Sequence, residues 1–265
     1  MRTATSLTPG QGNQNSVDVT ASQAGSGPTL AQRIDRLVED LLRHWLLIIN
    51  AALGIFVGLP WLAPVLMWLG QEAPGRLIYA LYSFFCHQLP ERSWFLFGRS
   101  FTYTLAEIDR VTGAGGNFFA LRRFIGDPEM GWKLAWSDRM VSFYGGWLLF
   151  GLVYGVVRRF RPGWRGLRWQ TAVLLLLPMA VDGVTHAISD IWGVGQGFRD
   201  SNAWLAALTG HLAPVAFYSG DAWGSFNSLA RLITGLLAAA GLMLWLLPFL
   251  DRLLRASVKH SQLSA

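Results

Sequence analysis

The sequence contains a single cysteine, Cys86, among its 265 residues. One thiol cannot form a disulfide within the chain, and it cannot build a metal centre held by cysteines alone. Disulfide-stapled secreted domains and cysteine-cage zinc proteins are therefore excluded. The cysteine count carries no information on the redox state of the compartment.

Charged residues are also scarce, because they make up only 14% of the chain. A typical soluble domain carries roughly 25% charged residues. Hydrophobic residues reach 52%, and their clustering into long runs is typical of membrane helices. The 13 tryptophans fit the same class, since amphipathic rings collect at membrane–water boundaries. The composition predicts an integral membrane protein.

Acidic residues number 16 against 22 Lys and Arg, which gives a formal net charge of +6. A basic balance can indicate nucleic-acid binding. Here the arginines stand beside apolar segments rather than in runs with exposed aromatic residues, which is typical of lipid headgroup and topology anchors. We therefore expect membrane lipids as partners and no nucleic acid.

Four apolar segments are long enough to cross a hydrocarbon core of about 30 Å. They cover residues 45–69, 140–157, 169–189 and 228–250. A fifth segment, 74–90, is shorter and either crosses the membrane or re-enters it. The predicted fold class is all-α: a polytopic membrane helix bundle with four to five transmembrane helices plus interfacial helices.

The predicted transmembrane domain covers residues 29–256 and opens with an amphipathic, surface-lying helix at residues 29–44. Residues 1–28 have almost no large apolar side chain, so a disordered N-terminal tail is predicted there. No apolar core follows Arg2, so we expect no signal peptide in this stretch. Residues 257–265 are predicted to form a C-terminal tail.

Arginine placement predicts how the bundle is oriented. The loop 158–168 carries five arginines, and the segment after residue 250 is basic as well. Loops rich in Lys and Arg stay in the cytoplasm. The C-terminus is therefore predicted to be cytoplasmic, while the side of the N-terminus depends on whether segment 74–90 crosses.

Polar side chains at membrane depth converge near one face of the predicted bundle. Asp182 and His186 lie four residues apart and share a helix face, as do Asn227 and Arg231. A charged group in hydrocarbon costs about 2.5–3.5 kcal/mol or more unless it is paired. We therefore predict that Asp182 pairs with Arg231, with His87 or His186 as the next candidate partner. The candidate polar site comprises Cys86, His87, Glu91, Arg92, Arg139, Asp182, His186, Asn227 and Arg231.

Two interpretations of these residues stay open. The cluster is either a proton relay, ligand site or catalytic pocket, or it is a structural set of ion pairs between helices. Metal ligation by His87, His186 and Asp182 is chemically allowed, but no close ligand spacing supports it. No metal-binding or cofactor-binding residue is assigned, the cofactors are unknown, and the sequence does not decide whether the chain is an enzyme.

The stretch from Cys86 to Phe95 resembles the prokaryotic membrane proteins grouped as domain of unknown function 2085. The resemblance runs from residue 80 or so to residue 250 or so, and it implies a multi-pass protein of a prokaryotic plasma membrane. It brings no settled activity. The other matching motifs are Asp138-Arg139, Tyr144-Gly145, Pro178 to Thr185, Ser225 to Asn227, Arg231 and Thr234-Gly235.

The chain departs from the pattern of that family at three positions. Members commonly carry Cys near position 137, often with a second Cys or an Asp near 140, where this chain has Ser137 and Met140. A Gln usually follows the Asp-Gly-x-Thr stretch, where this chain has His186. If the family site uses thiolates, this chain has lost part of it, whereas His186 adds a titratable group.

Three functional hypotheses follow. The first is a polar site near one membrane face that acts on or binds a lipid or small amphiphile. The second is an accessory or scaffold subunit of a larger membrane complex. The third is a transporter or channel component, which the few spans and the lack of an inverted repeat disfavour unless the chain forms a homo-oligomer.

Overall fold

The structure is a computed structural model that describes residues 29–264, and the side chains of all of these except residues 31, 32, 35 and 257–264. The predicted disordered tail, residues 1–28, lies outside the described residues. The chain divides after Arg43 into two compact units. Residues 29–43 contain the start of the first helix, and the contacts, cavities and site described below belong to the second unit, His44 onwards.

Four helices in the described part of the chain are long and apolar enough to cross a membrane, which confirms the all-α membrane bundle. Their candidate spans are Arg36–Trp68, Asp138–Phe160, Trp169–Asp190 and Phe226–Ala256. The helices in chain order are α1 (Leu30–Trp68), α2 (Glu72–Tyr82), α3 (Leu105–Thr112), α4 (Phe118–Arg123), α5 (Asp138–Phe160), α6 (Trp169–Asp190), α7 (Phe198–Ser201), α8 (Ala203–Leu208), α9 (Val215–Tyr218) and α10 (Phe226–Ser264).

The doubtful segment 74–90 does not form a membrane-spanning helix. It contains most of α2, whose 11 residues end at Tyr82. At about 1.5 Å per residue, such a helix reaches roughly half of the hydrocarbon thickness. An irregular stretch follows, in which Gln88 adopts a φ of +55°, a value that residues other than glycine rarely adopt. The five-span alternative is therefore not supported.

Two predicted boundaries fall inside continuous helices. The amphipathic segment 29–44 is part of α1 rather than a separate helix, and the predicted C-terminal tail begins within α10, which runs to Ser264. Pro60 and Pro64 also lie within α1. In membrane helices, neighbouring elements can satisfy the backbone groups that proline leaves free.

Helix α10 packs against both α5 and α6. Small residues allow this close approach. A Cβ on Gly146 would lie 2.5 Å from the Cβ of Ala239, and one on Gly241 would lie 2.8 Å from the carbonyl oxygen of Ala172. The neighbouring Gly145 differs, because a Cβ there would meet no atom within 4 Å, so Gly145 has no such packing role.

A small antiparallel sheet, which the sequence did not reveal, lies between the membrane helices in the chain. Its strands are β1 (Ser93–Leu96), β2 (Gly126–Asp127) and β3 (Gly131–Ser137), in the order β1-β3-β2. Ser93 pairs with Ser137 and Phe95 with Lys133. The buried Lys133 ammonium donates to the carbonyl oxygens of Gln88 at 2.5 Å and Arg122 at 3.1 Å.

The sheet leads directly into the membrane bundle, because β3 ends at Ser137 and α5 begins at Asp138. The contacts described below join the first turn of α5, the last turns of α6 and the first turns of α10. At the opposite end, the loop between α5 and α6 is tied to α10 by the Leu167 amide, which donates to the Leu244 carbonyl at 3.0 Å. The site contacts described below therefore lie at the sheet end of the bundle, and the loop between α5 and α6 lies at the other end.

Candidate functional site

Arg231 is the centre of a buried charge network at the sheet end of the bundle. Its guanidinium is 1% exposed and holds Asp138 in a two-pronged contact, Nε to Oδ1 at 2.7 Å and Nη2 to Oδ2 at 2.8 Å. Its Nη1 donates to the Asp221 carboxylate at 2.5 Å, and its Nη2 donates to the Asp221 carbonyl at 2.9 Å. Arg231 thus joins the start of α5 to the loop before α10.

Arg92 holds the same carboxylate from the opposite direction. Its Nε donates to Asp221 Oδ2 at 2.8 Å, and its two terminal nitrogens donate to the two oxygens of Asp190 at 2.8 and 2.7 Å. Burial opposes ionisation of Asp221, but the guanidinium groups of Arg92 and Arg231 outweigh it and hold the pKa of this carboxyl well below its usual range. Asp221 is therefore a fixed negative charge.

Asp182 also lies between two arginines, but neither is the predicted one. Its Oδ2 accepts from Arg139 Nη2 at 2.8 Å, and its Oδ1 accepts from Arg199 Nη2 at 2.7 Å. The predicted pairing of Asp182 with Arg231 is wrong. Arg231 is instead paired with Asp138 at the start of α5 and with Asp221 in the loop before α10.

His186 lies between the two halves of the network. Its Nδ1 is 3.4 Å from Asp182 Oδ1 and 3.3 Å from Arg139 Nη2. Its Nε2 is 3.4 Å from Arg231 Nη1 and 3.8 Å from Asp221 Oδ1. One imidazole therefore contacts both ion-pair groups.

His87 borders the network on the side of the sheet. Burial lowers the pKa of this imidazole to about 3, and the positive charges of Arg92, Arg139 and Arg231 act in the same direction. Its Nδ1 accepts from the Leu89 amide at 3.3 Å. His87 is therefore neutral at physiological pH.

Cys86 faces the residue at which the resembled family commonly carries a second cysteine. The Cys86 thiol donates to Ser137 Oγ at 3.5 Å, and the Ser137 amide donates to Cys86 Sγ at 3.3 Å. The hydroxyl therefore stands where a second thiol would stand. Cys86 is buried in a hydrophobic cluster with residues of α1, α2 and β3.

Two predicted site residues remain to be described, Asn227 and Glu91. The Asn227 amide donates to the carbonyl oxygens of Arg199 at 2.8 Å and Gly220 at 3.0 Å. It thereby fixes the backbone that carries Arg199. Glu91 is buried next to Arg92, with 3.9 Å between Arg92 Nε and Glu91 Oε1.

The candidate polar site predicted from the sequence omitted four members of the network, Asp138, Asp190, Arg199 and Asp221. The last three lie in or at the edge of the segment 190–227, between the third and fourth predicted spans. The available signal was that this segment places single charges among apolar and aromatic residues, as in Gly197-Phe198-Arg199 and Asp221-Ala222-Trp223. Charged side chains in such surroundings are fully buried almost only when they are paired.

The network is electrically balanced, because four arginines meet four aspartates. Its members are Arg92, Arg139, Arg199 and Arg231 with Asp138, Asp182, Asp190 and Asp221. Two buried donors of the network have no hydrogen-bond partner among the described residues: Arg139 Nε and Arg199 Nε. Within the described part of the chain, no group of three or more His, Cys, Asp and Glu side chains is arranged to hold a metal ion.

An apolar groove of about 950 Å³ ends at this network. It lies between α6 and α10, and the exposed residues Leu174, Leu177 and Val181 of α6 line one wall. Asp182 and Arg199 lie among its lining residues and supply its charged groups. The other lining residues are Pro178, Thr185, Phe198, Trp204, Phe226, Ala230 and Thr234.

The fold and the site define a polytopic α-helical membrane protein with a buried charge network at one end of its bundle. Residues 129–219 match the model of the family described as "Predicted membrane protein (DUF2085)", which confirms the resemblance. An uncharacterised protein of Methanocaldococcus jannaschii is 27% identical over 184 residues, which cover 67% of this chain and 91% of that protein. No solved structure matches the chain.

Proposed function

We propose that this chain binds an anionic amphiphile, with the hydrocarbon tail in the groove between α6 and α10 and the anionic head at Arg199. The observation that carries the proposal is an apolar groove with exposed leucine and valine side chains that ends at a buried arginine, whose Nε has no hydrogen-bond partner among the described residues. We thereby assign the predicted lipid or amphiphile site to this groove, with a preference for an anionic head and with that head oriented towards Arg199.

The groove suits a hydrocarbon chain. Its volume of about 950 Å³ falls at the upper end of the range of small-molecule sites, about 300–1,000 Å³. The exposed side chains on its α6 wall are apolar, so a tail would lie against leucine and valine. Pro178 and Ala230 leave room between the helices, because neither carries a long side chain.

Arg199 suits an anionic head. Its side chain is mostly buried, it donates to Asp182 through Nη2 alone, and its Nε has no partner among the described residues. Burial lowers the pKa of Arg199, Asp182 acts against that effect, and the charge of Arg231 adds to it. A carboxylate or phosphate oxygen at Nε would offset the cost of burying this charge.

The rest of the network holds Arg199 in place. The Arg199 guanidinium lies 5.4 Å from the ring of Phe226, and the Arg199 amide donates to Ser189 Oγ at 3.0 Å. Asp182, which receives Arg199, is itself fixed by Arg139 and His186. We propose that the network serves to preorganise one cationic group at the end of an apolar channel.

We also propose the orientation of the chain in a prokaryotic plasma membrane. The arginine-rich loop 158–168 and the basic end of α10 lie at the bundle end opposite to the network. By the positive-inside rule, that end is cytoplasmic. The charge network and the head of the bound amphiphile would then face the outer leaflet.

Photocrosslinking tests the proposal. The full chain in mild detergent is irradiated with a diazirine-bearing dodecanoate, and the labelled peptides are located by mass spectrometry. We expect labels in α6 and α10, on the segments that line the groove. Unlabelled dodecanoate should compete, and uncharged dodecanol should compete about 10- to 100-fold less well, because a charge-assisted hydrogen bond contributes about 1.5–3 kcal/mol.

Two variants and a matched control make the test specific. Ala230→Phe fills the groove and should abolish labelling, whereas Ala52→Phe adds the same side chain to an exposed position on α1 and should not. Arg199→Gln should remove the preference for the anion while leaving tail binding. Equal labelling of Ala230→Phe and the unaltered chain would refute the site.

A further inference from the structure

A second cavity lies apart from the groove, between the 3₁₀ turn Pro90–Arg92, helix α3, the loop before α7, α7 itself and the loop after α9. Its volume is about 380 Å³. Four carboxyl groups line it, and among the described lining residues there is no Lys, Arg or His. The four are Glu91, Asp109, Asp200 and Asp221.

Glu91 is the unusual member of this set. Its side chain is buried, the residue is 2% exposed, and neither carboxyl oxygen has a hydrogen-bond partner among the described residues. Arg92, at 3.9 Å, is directed to Asp190 and Asp221 instead. Burial raises the pKa of Glu91 to about 7, with Arg92 opposing and Asp221 adding to the shift.

The neighbouring carboxyl groups add to the negative charge. Asp109 Oδ1 also lacks a partner among the described residues, and Asp109 lies in the C-terminal half of α3, where the helix dipole disfavours an anion. Burial raises the pKa of Asp200, and the charge of Asp221 raises it further. These groups therefore repel one another, and no Lys, Arg or His stands among the described residues that line the cavity.

We propose that this cavity binds a small organic cation that carries an ammonium or guanidinium group, with Glu91 and Asp109 as its acceptors. The cavity has room for several non-hydrogen atoms, and the two carboxyl groups offer three oxygen atoms without partners among the described residues. A bare metal ion fits less well, because within the described part of the chain no three His, Cys, Asp and Glu side chains are arranged to hold one. An organic cation spans wider gaps with several N–H donors.

The proposal does not depend on the amphiphile site. The lining residues of the groove and of the cavity do not overlap, since Asp182 and Arg199 belong to the groove and Glu91 and Asp109 to the cavity. Asp221 lines the cavity and also receives Arg92 and Arg231. The cavity therefore borders the network without sharing the proposed headgroup contact.

Calorimetric titration of the full chain in detergent with ethylammonium chloride tests this inference. We expect saturable binding that sodium chloride at equal ionic strength does not reproduce. Tetramethylammonium, which carries the same charge and no N–H donor, should bind at least about 10-fold more weakly, because it leaves the carboxyl oxygens unpaired. Glycerophosphoethanolamine is titrated in parallel, and tighter binding than ethylammonium would identify a lipid headgroup as the source of the cation.

Variants locate the site. Glu91→Gln and Asp109→Asn should each weaken ethylammonium binding at least about 10-fold, as expected for loss of a charged acceptor. Glu129→Gln removes an exposed carboxylate that pairs with Arg99 and should leave binding unchanged. If Glu91→Gln does not fold, the half-buried Asp109 decides the question alone. Absence of saturable binding, unchanged binding in Asp109→Asn, or binding of calcium chloride in place of ethylammonium would overturn the proposal.

Discussion

Removal of Arg231 should destabilise the chain more than removal of any exposed arginine. In Arg231→Met the Asp138 carboxylate, 2% exposed, loses both charged contacts and keeps the Arg139 amide at 2.7 Å as a donor. Asp221 is less affected, because Arg92 still holds it. Breaking a buried ion pair in this way costs about 3–5 kcal/mol.

Helix α10 supplies a matched control for this change. Arg255 lies on the same helix and pairs with Asp251 at 2.9 Å, but its side chain is 52% exposed, and Asp251 is also held by Arg158. Arg255→Met should therefore cost at most about 1 kcal/mol. The two variants remove the same side chain and differ in burial and in whether a carboxylate is left unpaired.

A double-mutant cycle isolates the ion pair. Asp138→Asn combined with Arg231→Met leaves no unpaired charge at this contact, so the double variant should be less destabilised than the sum of the single variants. We expect a coupling free energy of about 0.5–3 kcal/mol. Unfolding in detergent micelles, followed by tryptophan fluorescence, measures all four proteins. Additivity to within about 0.5 kcal/mol would show that the two side chains do not stabilise the fold as a pair.

Three further predictions concern packing, pH and the lone thiol. Gly146→Ala should cost about 1–3 kcal/mol in the free energy of unfolding because its Cβ would meet that of Ala239 at 2.5 Å, whereas Gly145→Ala should be stabilising by about 0.5–1 kcal/mol. Burial raises the pKa of Glu91 from 4.5 to about 7 in the folded chain, so the stability that its protonated form contributes is complete below pH 4.5 and is lost as the pH rises through about 7. The unfolding free energy of the unaltered chain should therefore fall relative to that of Glu91→Gln as the pH is raised over this window. Ser137→Cys should form a disulfide with Cys86 under mild oxidation, since the two side-chain atoms lie 3.5 Å apart, and a maleimide mass-shift assay counts the free thiols.

Each of these predictions has a contrary outcome. Equal stability of the two glycine variants would mean that α5 and α10 are not in close contact at Gly146. A pH-independent difference between Glu91→Gln and the unaltered chain would mean that Glu91 is ionised throughout. Two free thiols after oxidation of Ser137→Cys would mean that Cys86 faces away from position 137.

The membrane helices could be predicted from the sequence because their signal is local. A run of apolar residues such as 228–250 specifies a helix whatever else the chain does, and so α5, α6 and α10 begin close to the predicted positions. The convergence of Asp182, His186 and Arg231 at one end followed from counting crossings. No contact between specific side chains was needed for either inference.

The partners within the site could not be predicted, because they come from segments far apart in sequence. Carboxylates at 138, 182 and 221 are all candidate partners of Arg231. Helix periodicity does not predict the position of a loop residue such as Asp221. Strand β3 was missed for a related reason. Its pairing with β1, from Ser93 to Ser137, spans a stretch whose local pattern favours short helices, and long-range pairing overrides such local preferences.

Native mass spectrometry of the full chain, extracted from its own membrane in mild detergent, probes the proposed amphiphile site without any added ligand. We expect a bound anionic amphiphile on the unaltered chain and on Ala52→Phe, and its loss from Ala230→Phe. An unaltered chain that carries no amphiphile, or an Ala230→Phe chain that retains the same bound mass, would contradict the claim that the groove between α6 and α10 is the site.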